Sequence, residues 1–551
     1  MSQQLKIVMA QLNLTVGAIQ TNTDRVLEVA REAIDKYDAD LVAFPELTLT
    51  SYPPEDLLLR SSIKKRIDKA LKQLLDARLD IYLVVGYPHK VGERLYNALS
   101  VIRGGEILAT YHKQQLPNYQ VFDERRYFDA GDSACVIDIK GVPTAFTICE
   151  DMWQDGPTRQ ARHAGARLMI NINASPYHLN KVRERQQLLE RRSTIGNMPI
   201  VYVNLVGGQD ELVFDGASMV VDADGQCRLL AAGFQEALIP VAIQLTGEPA
   251  CPVRVPEQSI VVPGLLEKDV YQALVLGVRD YVNKNGFSGV VIGLSGGIDS
   301  AVTLAVAVDA LGRERVRAVM MPFEYTARIS LDAAQQQADT LGVHYSVIPI
   351  GDAYHAFIKS LEGEFAGLPV DVSEQNIQAR CRGVLLMAIS NKKGLLVLTT
   401  GNKSEIAVGY STLYGDMAGG FDVLKDVSKT LVYRLARYRN EHFGDRPQQV
   451  IPQIVIDRPP SAELAPDQVD EDNLPPYSIL DQILELYVEQ DLSATDIIER
   501  GFDEAVVRKV LRLVDLNEYK RRQSPVGVRL TRRGFGRDRR YPITNAWEIG
   551  D

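Results

Sequence analysis

Cysteine is scarce in this chain. There are five in 551 residues, Cys135, Cys149, Cys227, Cys251 and Cys381, and no two stand as a C-x-x-C pair. That excludes a zinc ribbon and a disulfide framework, and a reducing, cytoplasmic setting is expected. The seven histidines never form H-E-x-x-H, so the zinc-hydrolase helix is missing. No apolar run approaches the roughly 18–20 residues that span a bilayer, and no membrane partner is expected. Met1 to Val16 has no basic start followed by an apolar core, so no signal peptide is expected. Positive charge is short as well. Lys plus Arg is 61 against 71 for Asp plus Glu, a net charge of −10. A nucleic-acid partner is therefore not expected, because polyanions bind mainly through Lys and Arg. One stretch departs from this average: nine basic residues and a single acid, Asp538, lie between Lys520 and Arg540.

What is present is an ordinary globular composition, 46% apolar and 24% charged. At roughly 100–200 residues per domain the length allows two large domains. Apolar patterning predicts strands at 5–11, 41–44, 81–85, 142–148, 167–172 and 200–205. It predicts helical segments at 26–37 and 57–79, and a hairpin of 98–102 with 107–111 around Gly104-Gly105. Pro and Gly then thicken over 247–264, which reads as a linker between domains 1–246 and 265–551. Beyond it, helices are expected at 265–283, 300–311, 331–341 and 377–390. Strands are expected at 290–294, 316–321, 344–350 and 395–400. Repeated β-α-β units predict a doubly wound parallel α/β sheet.

Three strand ends in the first half carry reactive side chains: Phe44-Pro45-Glu46, Tyr111-His112-Lys113 and Ile148-Cys149-Glu150. A thiol nucleophile needs a proton acceptor and a stabiliser for the oxyanion, roles that Glu46 and Lys113 can fill. A lone cysteine at a strand end is ordinarily core, and a Pro-Glu is ordinarily a turn, so spacing alone leaves both readings open. The surrounding text adds to this. "AFPELTLTSYPPEDLL", "YHKQQLPNYQVFDERRYFDAG" and "ICEDMW" resemble the nitrilase, or carbon–nitrogen hydrolase, superfamily over about residues 5–245. The resemblance implies an α-β-β-α sandwich with Cys149 as nucleophile, Glu46 as general base and Lys113 as stabiliser of the intermediate. It implies Glu124 as a further acidic position beside the lysine. In glutamine-using relatives it places Tyr119, Ser175 and Lys181 with Glu124 around the substrate.

The second half carries Gly293-Leu294-Ser295-Gly296-Gly297-Ile298-Asp299-Ser300 between a strand and a helix. Glycines and a helix N-terminus cradle anions, and Asp299 beside phosphate implies a bridging Mg²⁺. There is neither a Walker A loop nor G-x-G-x-x-G. The motif resembles the pyrophosphate loop of N-type ATP pyrophosphatases. "NIQARCRGVLLMAISNKKGLLVLTTGNKSEIAVGYSTLYGDMAGGFDVLKDVSKTLVYRLARY" and "YKRRQSPVGVRLTRRGFGRDRRYPITNAW" resemble the NAD synthetase family, and the nitrilase-like half in front points to its glutamine-dependent branch. That resemblance implies glutamine, ATP and deamido-NAD⁺ as substrates, with Mg²⁺. It places Thr400 and Ser461 at ATP, and Asn376, Arg380, Glu405, Asp416, Lys429 and Lys520 at deamido-NAD⁺. Asp299 and Glu405 become metal positions. It also implies a homo-oligomer, a dimer of synthetase domains or larger. Leu413 stands where single-domain, ammonia-using relatives tend to carry Lys. The alternatives are another amidotransferase of this type or a tRNA-thiolating enzyme, whose cue is the basic C-terminal stretch. Cys381, mid-helix in an apolar pattern, reads as core rather than as the second catalytic cysteine that such an enzyme needs. A non-catalytic nucleotide sensor is a further alternative.

Overall fold

The computed structural model describes residues 4–246, 253–262, 264–442, 449–460, 463 and 474–547. The chain divides into two compact units, Met1–Pro263 and Gly264–Asp551.

The first unit contains two mixed sheets. One has seven strands in the spatial order Val253–Arg254, Ala237–Leu245, Gln4–Gln11, Leu41–Ala43, Tyr82–Val91, Arg94–Arg103, Glu106–His112. The other has six, in the order Cys227–Leu230, Met219–Val221, Ile200–Asn204, Leu168–Asn173, Val142–Ile148, Cys135–Ile139. Alternation along the strands builds the layers, because successive side chains point to opposite faces. Leu5, Ile7 and Met9 join Phe146, Ile148, Ile170 and Val201 in one core between the sheets. Val8, Ala10, Val42 and Phe44 face the other way, packing with Val26, Val29 and Ala30 of helix Ile19–Tyr37 and Ile67 and Leu74 of helix Ile63–Asp76. On the far face of the second sheet, Met169, Ile200 and Met219 pack with Ala161 of helix Asp155–His163 and Leu188 and Leu189 of helix Lys181–Gly196. This is the α-β-β-α sandwich. The proline-rich stretch read as a linker contributes its edge strand: Val253 and Arg254 pair antiparallel with Leu245 and Gln244.

The second unit is a five-stranded, wholly parallel sheet. Its order is His344–Val347, Val316–Met320, Val290–Gly293, Leu396–Thr399, Phe421–Asp422. The chain winds outward from Val290–Gly293 in one direction, then returns to its other side. A crevice opens where the winding reverses, and such crevices receive ligands at the carboxyl ends of the strands. Helix Val372–Lys393 covers one face, with Ile377 and Cys381 among Val291, Val319 and Val397. It starts at Asp371, whose carboxylate accepts from the Ser373 N–H while Glu374 reaches back, and stops at left-handed Gly394. These stop signals extend it past the expected 377–390 at both ends. Cys381 is 2% exposed, a core residue as expected.

Sequence patterning leaves unassigned a helical cluster of Tyr477–Leu484, Ala494–Glu499 and Glu504–Leu516, packed on helix Lys403–Val408 through Leu480, Ile483, Val507, Val510 and Ala407. Among the described residues, no helix is long and apolar enough to cross a membrane. Leu480, with no exposed surface, anchors this cluster. Leu480→Ala is expected to cost about 2–5 kcal/mol, read as an earlier midpoint in chemical denaturation. An unchanged midpoint would show that the cluster does not support the second unit.

Candidate functional site

In the first unit, three strand ends converge on one buried ammonium. Lys113 follows strand Glu106–His112 and has no exposed surface. Its Nζ donates to Glu46 Oε1 at 2.7 Å and to both oxygens of Glu124 at 2.8 and 2.9 Å. Glu46, 1% exposed, also accepts from Asn97 Nδ2 at 2.8 Å and, on Oε2, from the Ala174 N–H at 3.0 Å. Tyr52 donates its hydroxyl to Glu124 at 2.9 Å. Burial alone would lower the Lys113 pKa, but Glu124 and Glu46 outweigh it and hold it well above the ordinary lysine value. Lys113 is thus a fixed cation rather than a base. Burial raises the Glu124 carboxyl to about 7 against the opposing pull of Lys113.

Cys149 ends the strand Val142–Ile148 at a positive φ of 42° and opens a short 3₁₀ turn, Cys149–Met152. A non-glycine residue holds that conformation only where its surroundings impose it. Asp151 imposes it here. Its carboxylate accepts from the N–H groups of Ile148, Gln114 and Gln115 and from the Tyr111 hydroxyl, at 2.8–3.1 Å. One buried carboxylate thereby ties the thiol's turn to the segment carrying Lys113. Burial first, then the Glu46 charge, raises the Cys149 pKa well above its usual value, while Lys113 pulls it down. The resting group is a thiol, so its attack requires a base to take the proton.

The expected substrate side chains lie around this centre. The Tyr119 hydroxyl donates to Glu150 at 2.9 Å, next to Cys149. Burial raises the Glu150 pKa, opposed by that hydrogen bond. The Lys181 ammonium stands 4.0 Å from the Trp153 ring centre, and the Ser175 N–H donates to Asn204 at 2.9 Å. Asn97, Tyr52, Glu150 and Asp151 escape sequence reasoning. A polar residue inside an apolar strand, as in "YNALSVI", is the one available signal for Asn97.

In the second unit, a cavity of about 300 Å³ lies at the sheet's switch point, lined by Gly293–Ser300, Thr400, Glu405, Asp416, Asp422, Lys429, Arg458 and Glu463. Gly296 has φ +83°, and a Cβ there would stand 2.3 Å from the Ser330 carbonyl oxygen. Only glycine fits both conditions. The Ser295 Oγ accepts from the Gly297 N–H at 3.2 Å, and the Ser300 Oγ donates to the Gly297 carbonyl at 3.0 Å, which fixes the loop. Lys429 Nζ donates to Asp299 Oδ2 at 2.6 Å and to Glu405 Oε1 at 2.8 Å. Burial would lower the Lys429 pKa, but Asp299 and Glu405 hold it far above the ordinary value. Asn402 donates to Asp299 Oδ1 at 3.0 Å while its own oxygen caps helix Lys403–Val408 at the Glu405 N–H, also 3.0 Å. Asn402 is a further residue that the sequence reading misses.

Other expected residues are placed differently. Asn376 accepts from the Thr412 hydroxyl at 2.8 Å, Arg380 donates to the Leu413 carbonyl at 3.2 Å, and Lys520 donates to the carbonyls of Gly409 and Ser411 at 2.8 and 3.0 Å. These three grip the loop 409–413 and are not part of the cavity lining. Just beyond this loop the chain lines the cavity with Asp416, whose carboxyl burial raises to about 6. Ser461 lies outside the described residues. The basic stretch finds its acids within the second unit. Arg529 pairs with Asp538, Arg533 with Asp491, and Arg521, Arg522 and Arg539 with Glu518. Glu463 pairs with Arg458 at 2.5 Å.

Two family matches divide the chain in the same way: carbon-nitrogen hydrolase over residues 6–248 and NAD synthase over residues 270–524. The glutamine-dependent NAD(+) synthetase of Acinetobacter baylyi is 48% identical over 550 residues, covering 100% of each chain. That of Aquifex aeolicus is 46% identical, covering 98% of this chain and 99% of the relative. The solved glutamine-dependent NAD+ synthetase of Acinetobacter baumannii, in complex with adenosine diphosphate, superposes with a TM-score of 0.80 at 45% identity over 100% of both chains. With both domains matched in order and whole-length relatives at this identity, the chain belongs to the glutamine-dependent NAD(+) synthetase family.

Proposed function

We propose that the two sites divide one synthesis: glutamine is hydrolysed at Cys149, and the ammonia released amidates deamido-NAD⁺ that ATP has activated in the second unit. The observation that carries this reading is the presence on one chain of a buried Cys149–Glu46–Lys113 centre and a glycine-loop cavity.

In the amidase unit the Cys149 sulfur attacks the side-chain amide carbon of glutamine as its proton passes to Glu46. The carbonyl electron pair moves to oxygen, and the Lys113 ammonium donates to that oxyanion. Collapse breaks the C–N bond, Glu46 returns its proton to nitrogen, and ammonia leaves a thioester. Water, deprotonated by Glu46, then releases glutamate. Tyr119, Glu124, Ser175 and Lys181 surround the substrate in this reading. Ammonia is mostly protonated in water near neutral pH and is then no nucleophile, so a sheltered passage to the second site is part of the proposal.

In the synthetase unit the loop 294–297 and the N-terminus of helix Ile298–Leu311 receive the phosphates of ATP. The nicotinate carboxylate attacks the α-phosphorus and pyrophosphate departs. Ammonia then displaces AMP from the acyl carbon to give NAD⁺. Asp299 and Glu405 fit a hard divalent cation, because two carboxylates at a cavity wall already share the Lys429 ammonium between them. They are the residues that would hold Mg²⁺, which when bound neutralises phosphate charge. Thr400 and Ser461 are assigned to ATP, and Asn376, Arg380, Asp416, Lys429 and Lys520 to deamido-NAD⁺ or the loop that contacts it. A cytoplasmic homo-oligomer completes the reading.

Cys149→Ala is expected to lower glutamine-driven NAD⁺ formation by on the order of 10³-fold or more while ammonium-driven formation continues. Loss of both activities would refute the division of labour. Gly296→Ala is expected to raise the KM for ATP about tenfold or more, the equivalent of roughly 1.4 kcal/mol, with glutamate release by the amidase unit preserved; normal ATP kinetics would remove the loop from the phosphate site. Asp299→Ala should abolish AMP formation with either nitrogen source, and unimpaired turnover would dismiss the metal assignment.

A further inference from the structure

Asn97 is fully buried in the middle of strand Arg94–Arg103, yet its Oδ1 has no hydrogen-bond partner. An orphaned buried amide oxygen is costly and calls for a reason. The reason lies on the other side of the amide, where Nδ2 donates to Glu46 Oε1 at 2.8 Å. Turning the amide over would satisfy nothing at Glu46 and set an oxygen against a carboxylate. The backbone of the same residue holds Lys113, whose N–H donates to the Asn97 carbonyl at 2.8 Å. One residue therefore grips the proposed base through its side chain and the proposed oxyanion donor through its backbone.

The two oxygens of Glu46 are not equivalent. Oε1 accepts from both Lys113 Nζ and Asn97 Nδ2. Among the described residues, Oε2 accepts from the Ala174 N–H alone. A carboxylate oxygen has two lone-pair directions, so Oε1 is saturated and Oε2 keeps one open. We infer that Asn97 is a positioning residue for amide hydrolysis, one that occupies Oε1 and leaves Oε2 as the atom that carries the proton. The inference rests on the proposed roles of Cys149, Glu46 and Lys113. The proton leaves the Cys149 sulfur as the S–C bond forms, resides on Oε2, and moves to the departing nitrogen as the C–N bond breaks. Without Asn97, Oε1 has an open lone pair and the carboxylate gains a second orientation, so fewer encounters have the acceptor in line.

The charged and titratable groups around Glu46 are Lys113 in direct contact, Glu124 across that ammonium, Cys149 and Glu150 on the nucleophile's turn, and the Tyr52 hydroxyl on Glu124. A new carboxylate at position 97 would face Glu46 directly and raise its pKa by like-charge repulsion.

The test uses the full-length enzyme and follows glutamate release across pH for Asn97→Ala and Asn97→Asp. Ammonium-driven NAD⁺ formation in the same samples reports folding. For Asn97→Ala, kcat for glutamine is expected to fall about 10- to 100-fold, with the KM for glutamine little changed. For Asn97→Asp, the acid limb of kcat/KM is expected to move to higher pH. A loss confined to KM, an unmoved acid limb in Asn97→Asp, or an equal loss of ammonium-driven synthesis overturns the inference. Cys149→Ala separates it from the reading beneath it. Continued glutamine hydrolysis in that variant removes the triad and the inference with it. An inert Cys149→Ala beside normal Asn97 variants removes the inference alone.

Discussion

A lysine ammonium held between two carboxylates, away from bulk water, organises each half of this chain. In the first unit Lys113 joins Glu46 to Glu124, and in the second Lys429 joins Asp299 to Glu405. Burying an unpaired charge costs several kcal/mol, and each buried ammonium is set against two carboxyl groups that offset this cost. The clusters differ in access. Lys113 and Glu46 have at most 1% exposed side-chain surface, whereas the Asp299 and Glu405 side chains keep 17% and 18%. The first arrangement is closed and suits proton transfer in a fixed geometry. The second borders a cavity.

Both clusters sit at strand ends, and in both a further polar side chain spans segments far apart in sequence. Asp151 binds the turn of Cys149 to residues 111–115. Asn402 caps the helix of Glu405 and reaches Asp299 from its amide nitrogen. Strand ends bring reactive residues near one another, and these bridging groups set the distances to within hydrogen-bond tolerance. A shift of 1 Å in such a site is enough to lose much of the rate.

Much of this was legible in the sequence because reactive residues announce themselves at the ends of apolar runs. Glu46, Lys113 and Cys149 each follow a strand that patterning places correctly, and Ser295–Ser300 interrupts a strand and a helix with two glycines. The layers of both units follow from period-two alternation. Asn97 was not legible: an asparagine within a strand carries no mark of what its amide will face. Asp151 and Asn402 were hidden for the same reason, since their partners lie on other segments. Asn376, Arg380 and Lys520 were legible as polar and important near the second site, but sequence could not tell that they hold backbone carbonyls and a hydroxyl of the loop 409–413. The helical cluster after Tyr477 went unassigned, and its apolar face is completed by Ile406, Ala407 and Val408 from a distant segment.

The basic C-terminal stretch shows how far a charge count can mislead when its partners are internal. Its acids are supplied by the same unit, and the residues between them are pinned as firmly as the arginines. Asp426 accepts from the N–H groups of Leu530 and Thr531, both at 2.7 Å, and pairs with Lys403 at 2.9 Å. Burial alone would raise the Asp426 pKa, but Lys403 and the Thr531 N–H outweigh it and hold it below the usual value. Lys403 in turn donates to Glu489 and to the Thr531 hydroxyl. It is the first residue of the helix that Asn402 caps, and Asn402 touches Asp299. The stretch is therefore continuous, through Thr531, Asp426, Lys403 and Asn402, with the acidic pair at the nucleotide cavity. Arg521, Arg522, Arg529, Arg533 and Arg539 are matched within the second unit, so the charge of the stretch goes in good part to holding it against that unit.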